Sequence, residues 1–310
     1  MKKNKGKDIR IKGSVLDNIQ LFLLQLPSLL HILIFCYIPM FGIIVAFKNF
    51  SPNKGILASP WVGFKNFEFF FTSQDAAMLI RNTILYSLWF LVITTVSAVA
   101  IALMLYNLTR RSLVKTYNTI MILPRFMSSV LIAFIVYALL NPASGVMNNF
   151  IQKLGGEAVD WYSKPEAWPA ILTIVHLWQT VGWSSIIYYA ALMGISPELF
   201  EAAEIDGATK FQQTMKIAIP EIMSLICIYT ILGLGGILSG DFGLHYQITR
   251  NVATLYPTTD IINTYVFRAL MGGDMAKSAA VGLFQSVVGT IMVVSVNLIV
   301  KKISPENSLF

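Results

Sequence analysis

Apolar residues occur along this chain in blocks of about 20, separated by shorter polar segments. The blocks lie at about residues 19–47, 82–106, 118–140, 168–194, 220–238 and 277–301. Each is close to the roughly 20 residues that an α-helix needs to cross the hydrocarbon of a bilayer. The pattern predicts an all-α, polytopic membrane protein with six transmembrane helices.

The first apolar block follows a basic segment, as it would in a signal peptide. The run from Ile19 to Phe47 is too long for one and has no small-residue cleavage pattern, so we expect a retained span. Lys and Arg are concentrated before span one, after spans two and four, and at the end of the chain, with fewer in the opposite loops. This bias predicts that both termini are cytoplasmic.

Composition agrees with a membrane protein: 55% of the 310 residues are hydrophobic and 13% are charged. The net charge of +7 is concentrated in the N-terminal tail, and no basic face with interleaved aromatics follows. Lipid headgroups therefore explain the charge better than nucleic acid does. Cys36 and Cys227 are isolated within apolar runs, which indicates packing residues and neither a disulfide nor a metal site.

The segment PELFEAAEIDGATKFQQTMKIAIP, residues 197–220, carries a cluster of acids between two apolar blocks. Ser196 can cap a helix that begins at Pro197. Asp206-Gly207 is typical of a turn, and a second helix can follow over 208–217 until Pro220 ends it. By composition alone this could be a solvated linker between spans; the predicted order is helix, Gly turn, helix and proline.

The arrangement of these residues resembles the EAA loop of binding-protein-dependent ABC importer permeases. The matching residues are Glu201-Ala202-Ala203, Asp206-Gly207-Ala208 and Ile217-Ala218-Ile219-Pro220, with Ile219 where Leu is usual. The segments 177–192, 259–268 and 280–286 are similar to the LplB-like branch of carbohydrate-type permeases, which transports polysaccharide-derived sugars or oligosaccharides. The likeness covers most of residues 80–310.

The resemblance implies the type I importer (MetI-like) permease fold and a place in the bacterial cytoplasmic (inner) membrane. It implies four kinds of partner besides membrane lipid: a second, homologous permease subunit, two ABC ATPase subunits, an extracytoplasmic solute-binding protein and a carbohydrate substrate. It also implies that the ATPase is contacted by Glu201, Ala202, Ala203, Asp206, Gly207 and Ala208.

The implied organisation has four parts. A basic cytoplasmic tail, 1–18, precedes the first span with its extracytoplasmic loop, 19–81. The permease core, 82–302, contains the coupling loop, 196–220. A cytoplasmic tail, 303–310, ends the chain.

The sequence predicts a transporter subunit and not an enzyme. No phosphate-binding loop is present, since Ala276-Lys277-Ser278 lacks the required glycine, and no catalytic, metal or cofactor motif occurs. An ion-coupled transporter would need carboxylates near the membrane midplane, but the acids lie in loops or at span edges. An importer of another solute class, or a membrane sensor or scaffold, stays open as an alternative.

Residues that could line a sugar path are the polar and aromatic residues within spans. They are Arg125, Tyr137, Trp178, Gln179, Trp183 and Gln285. Packing and hydrogen bonding between helices is the competing interpretation for each. Pro124 is expected to kink the third span, and Arg125 beside it must face protein or a wet cavity. Contact with an acidic sugar, a position toward the cytoplasmic end and pairing with a partner subunit all stay open for Arg125.

Overall fold

The computed structural model describes residues 15–303, which are mainly helical. In the N-terminal half the helices are α1 Val15–Ile32, α2 Ile38–Met40, α3 Gly55–Ala58, α4 Lys65–Thr72, α5 Gln74–Tyr106, α6 Arg111–Ile122, α7 Ser129–Leu140 and α8 Val146–Lys153. They are followed by α9 Trp168–Met193, α10 Pro197–Ile205, α11 Lys210–Gln213, α12 Ile219–Gly235, α13 Tyr256–Thr259, α14 Ile262–Met271 and α15 Met275–Ile303.

Five unbroken stretches in the described part of the chain are long and apolar enough to cross a membrane. They are Ile19–Phe47, Asp75–Tyr106, Pro165–Met193, Lys210–Gly235 and Met275–Lys302. A sixth span is possible if the bent pair Arg111–Phe126 and Ser129–Leu140 counts as one. The predicted all-α membrane architecture is therefore confirmed, and the described residues contain five to six apolar helices where six were predicted.

The third predicted span, 118–140, is broken where a kinked but continuous helix was expected. Its two halves meet at 99°. Leu123–Phe126 form a 3-10 turn that contains Pro124. Ser128 then adopts an extended conformation and accepts a hydrogen bond from the Leu131 amide at 3.2 Å. A new N-cap thus restarts the helix in another direction, which a proline kink alone would not do.

The prediction that Pro220 ends the second helix of the acidic loop is wrong. The helix passes through Pro220 into α12, after a π-helical stretch at Thr214–Ala218. The Ile219 amide bonds to the carbonyl of Thr214 in this wider turn. Because the missing proline N–H falls at the start of α12, the helix continues through Pro220.

α5 and α9 form the centre of the bundle and contact each other along much of their length. A buried cluster of α5, α7, α9 and the loop at residues 239–274 fills one end, with Trp168 and Leu172 fully buried. At Gly182, α9 approaches α6 so closely that any added side-chain carbon would overlap the backbone of Met121. These two helices are therefore in direct backbone contact.

The loop at residues 239–274, between α12 and α15, folds into short helices attached to α5. Asn82 Nδ2 donates to the Asp260 carbonyl at 3.1 Å, and Tyr86 OH donates to the Thr258 carbonyl at 2.7 Å. Asp260 forms an ion pair with Arg268, whose guanidinium also lies 4.1 Å from the centroid of the Tyr256 ring. The loop is therefore an integral part of the bundle.

Candidate functional site

A cavity of about 350 Å³ opens between α5, α9, α12 and the break in the third span. Aromatic walls surround it, provided by Phe90, Trp183, Tyr188 and Tyr229. Arg125, in the 3-10 turn of the break, and Asp241, at the start of the 239–274 loop, bring opposite charges to its lining. Both flat apolar surfaces and charged groups are therefore available to a solute.

Several polar groups of this cavity have no partner among residues 15–303. Thr94 Oγ1 and His176 Nδ1 are buried without a hydrogen bond. Arg125 forms no ion pair within the same residues. A buried polar group without a hydrogen bond costs about 1–3 kcal/mol, so a polar ligand or water that bonded to these atoms would be favoured.

The His176 ring stacks on Phe90 with 4.0 Å between centroids, which fixes its position in the cavity wall. His176 was not among the path residues predicted from the sequence. The signal was present: His176, Thr180, Trp183, Ser184 and Ile187 lie on one face of α9, spaced by three and four residues. Asp241 gave no comparable signal because it lies in a loop distant in sequence.

Only two of the six predicted path residues, Arg125 and Trp183, meet in this cavity. Tyr137 lies instead under the Arg250 guanidinium, 3.9 Å from the ring centroid. Gln285 donates to the Leu238 carbonyl and to Asn263 Oδ1, the latter at 2.9 Å. These bonds favour hydrogen bonding between helices over a place in the sugar path for Gln285. Trp178 and Gln179 lie on α9 but do not line this cavity.

At the far end of α9, the acidic loop forms a helix, a glycine turn and a second helix, as predicted. The Ala208 amide bonds to the Ala203 carbonyl at 2.8 Å, and the Gly207 amide bonds to the Glu204 carbonyl at 3.0 Å. These are the two hydrogen bonds of a Schellman motif, with Gly207 at φ +78° in the left-handed region. The spacing from Ala203 through Gly207 to Ala208 is therefore the sequence of a helix C-terminus.

The acidic loop, residues 196–220, thus forms a helical bend. Its second helix, α11, begins with a capping box. Thr209 Oγ1 accepts from the Gln212 amide at 3.3 Å, and the Gln212 side chain accepts from the Thr209 amide at 2.8 Å. Lys210 forms an ion pair with Glu204 across the turn and lowers the pKa of that carboxyl group. The bend is thus held mainly by contacts within itself.

The outward surface of the bend is apolar as well as acidic. Ile205 is 87% exposed and Phe211 is 71% exposed, on either side of the Gly207 turn. Glu201, Ala202 and Asp206 are also exposed, whereas Ala203 is half-buried. Phe200 packs inward against Tyr106 with ring centroids 5.7 Å apart. Ile205 and Phe211 were not predicted as contact residues, although large apolar side chains beside a turn are the available signal.

Together, the broken span, the cavity in the bundle and the helical bend between two spans define a polytopic membrane protein with an exposed apolar and acidic surface at one end. Residues 98–305 match the family described as "Binding-protein-dependent transport system inner membrane component". The chain belongs to this family and is a permease subunit of an ABC importer, not an enzyme. It is therefore a multi-pass membrane protein.

Relatives and solved structures agree over nearly the whole chain. The "Polygalacturonan/rhamnogalacturonan transport system permease protein YteP" of Bacillus subtilis is 36% identical over 98% of this chain and 94% of its own length. "Protein LplB" of the same organism is 34% identical over 97% and 94%. The fold matches the crystal structure of a bacterial ABC transporter "involved in the import of the acidic polysaccharide alginate", with a TM-score of 0.85 and 32% identity over 93% of this chain and 96% of that chain.

Proposed function

We propose that this chain forms half of the translocation path of an ATP-driven importer for oligosaccharides derived from acidic polysaccharides. Its partners are a second, homologous permease, two ATPase subunits and an extracytoplasmic solute-binding protein in a bacterial cytoplasmic membrane, with both termini cytoplasmic. The names of two similar proteins support the substrate class: one contains polygalacturonan, and the other the acidic polysaccharide alginate. An alginate pentasaccharide-bound periplasmic protein accompanies the second in a further structure, which supports a solute-binding partner here.

The observation that carries the substrate proposal is the position of Arg125 in the cavity. Its guanidinium has no ion-pair partner within residues 15–303, and it shares the cavity with Trp183 and unpartnered polar atoms. A guanidinium binds a carboxylate through paired hydrogen bonds, and an aromatic ring packs against a sugar face. A uronate has both a carboxylate and a sugar face. We therefore assign Arg125 to its carboxylate and Trp183 to its sugar face.

Uptake by proteoliposomes that contain the assembled transporter tests this assignment. The probes are a galacturonic acid trimer and its methyl ester, which has the same length without the carboxylate charges. Arg125→Gln should lower uptake of the acid about tenfold, since a hydrogen bond to a charged group contributes about 1.5–3 kcal/mol, and should affect the ester little. Lys115→Gln, a charge change on exposed α6 away from the cavity, is the matched control.

Uptake of the acid by Arg125→Gln at the wild-type rate would remove the substrate role of this residue. If the wild-type transporter took up neither probe, the solute would belong to another class, which is the alternative that the sequence left open.

We further propose that the bend is the surface through which the ATPase drives this subunit. Glu201, Ala202, Asp206 and Gly207 lie on it, and Ala203 and Ala208 close the Schellman turn from within. Ile205 and Phe211 supply exposed apolar area for a partner to bury, and buried aromatic residues dominate the free energy of many interfaces.

Association of the ATPase with the purified permease pair tests this surface. Phe211→Ala should weaken association about tenfold, which corresponds to about 1.4 kcal/mol, without lowering the amount of protein in the membrane. Leu154→Ala, another exposed apolar residue that lies in the second extracytoplasmic loop, should change nothing. Gly207→Pro should abolish coupling; unchanged association and uptake in that variant would refute the assignment.

A further inference from the structure

A second concave surface, a groove of about 720 Å³, runs between the first half of α5 and the start of α9. Most of its wall is apolar: Leu85, Tyr86, Trp89, Pro169, Ala170 and Ile174. Arg81 and Asn82 lie at one end, next to Pro257 and Thr258 of the 239–274 loop. The groove therefore has an apolar length and a polar, cationic end.

This groove opens on the opposite face of α5 from the cavity that contains Arg125. Leu85 and Trp89 line the groove, whereas Ser87 and Leu91, each two positions further, line the cavity. Two residues correspond to a rotation of about 200° around a helix. Since the cavity lies inside the bundle, the groove faces outward. Leu85 is 58% exposed, Trp89 50% and Ile174 67%.

The cation at the end of the groove has no carboxylate partner within residues 15–303. Arg81 donates to Asn82 Oδ1 at 3.1 Å and to the Pro257 carbonyl at 3.3 Å, and these neutral acceptors orient the guanidinium without neutralising it. Trp89 lies eight residues further along α5, which is about 12 Å, and donates through its indole N–H to Thr173 Oγ1 at 3.0 Å. The indole therefore stays fixed as part of the apolar wall.

Arg81 lies about two turns after the start of α5. It is therefore close to the end of the span, which begins at Asp75. Basic and amphipathic aromatic residues at such a position lie at the level of the lipid headgroups. We propose that the groove binds an anionic glycerophospholipid, with its phosphate on Arg81 and an acyl chain along Leu85, Trp89 and Ile174. With both termini cytoplasmic, as proposed above, this is a lipid of the outer leaflet.

The site has a consequence for the fold of the extracytoplasmic end. Arg81 contacts the 239–274 loop through the Pro257 carbonyl, and Asn82 bonds to the same carbonyl at 3.3 Å. A phosphate on Arg81 would join α5, α9 and this loop to one lipid molecule.

Native mass spectrometry of the purified full-length transporter, transferred into mixed phosphatidylglycerol and phosphatidylcholine nanodiscs, tests the proposal. Wild type should retain phosphatidylglycerol in preference to phosphatidylcholine. Arg81→Gln should lower that retention about fivefold. Lys164→Gln, which removes a positive charge just before α9 without touching the groove, should retain it as wild type does.

A second variant separates binding from folding. Ala170→Trp fills the apolar part of the groove while the cation stays, so it should also lose the lipid. Equal retention of both lipids by wild type, undiminished retention in both groove variants, or protection of the groove by the second permease in cross-linking would each overturn the proposal. The measurement uses neither sugar nor ATP, so it can fail while the import proposal stands, and the reverse.

Discussion

Two polar segments that join spans in this protein are built in opposite ways. The bend at 196–220 is held by hydrogen bonds between residues close in sequence, and it presents Ile205 and Phe211 outward. The 239–274 loop is held by bonds to α5 across more than 150 residues of sequence, and it buries Asp260 and His245. A segment with self-contained local structure and exposed apolar groups is suited to a partner, whereas the loop is part of the scaffold.

Removing the buried carboxylate of the loop should have the largest effect. Asp260 is 5% exposed and is paired with Arg268, which is 22% exposed. Asp260→Ala leaves a half-buried guanidinium without its partner, a change that costs about 3 kcal/mol or more in comparable pairs. We expect a clearly lower melting temperature in detergent.

The matched control is Asp274→Asn, which removes the charge from the more exposed pair with Lys277 but keeps a side-chain oxygen for the Lys277 amide, which donates to Asp274 Oδ1 at 3.2 Å. It should cost below about 1 kcal/mol. Similar melting temperatures for the two variants would mean that the loop is no more integrated than the bend.

Acid should weaken the same loop. Burial lowers the pKa of His245, whose Nδ1 lies 2.7 Å from the Thr259 carbonyl. The folded protein therefore resists the proton that the unfolded chain accepts. Stability should be constant above pH about 6.5 and fall below it, by at most about 1.4 kcal/mol per pH unit from this group.

Unfolding followed between pH 8 and pH 5 measures this slope. His245→Gln should have a flatter profile than wild type. An unchanged slope in His245→Gln would assign the acid sensitivity to other groups.

The smallest effect on stability belongs to the bend. Gly207 is at φ +78°, where an alanine costs about 1 kcal/mol. Gly207→Ala should loosen the Schellman turn and reduce ATP-driven uptake about fivefold, while the melting temperature stays that of wild type because the turn is peripheral. Gly282→Ala, with an ordinary φ and open space around it, is the control. A fall in melting temperature without loss of uptake would reverse the contrast between bend and loop.

The sequence was most informative where structure is local or periodic. Block length predicts the spans, and Asp206-Gly207 predicts the turn, because both depend on neighbouring residues. The two prolines show the limit: Pro124 lies at a break of 99° and Pro220 within a continuous helix. The difference depends on the neighbouring backbone, because the Ser128 cap comes after Pro124 and a π-helical turn comes before Pro220.

The cavity could be predicted only in part for the same reason. Arg125 and Trp183 were found as polar or aromatic residues within apolar runs. Asp241 joins them through a loop whose position depends on bonds such as the one between Asn82 and the Asp260 carbonyl. Contacts between residues so distant in sequence are set by tertiary packing, which a single sequence does not contain.

The backbone contact at Gly182 has a mechanical consequence. With no side chain between α9 and the carbonyl group of Met121, there is no compressible layer to absorb a displacement of either helix. Ser196, where the bend begins, lies shortly after the end of α9, and Arg125 lies one helical turn after Met121. A displacement of α9 would therefore pass directly to the backbone of α6, and Gly182→Ala would force the two helices apart.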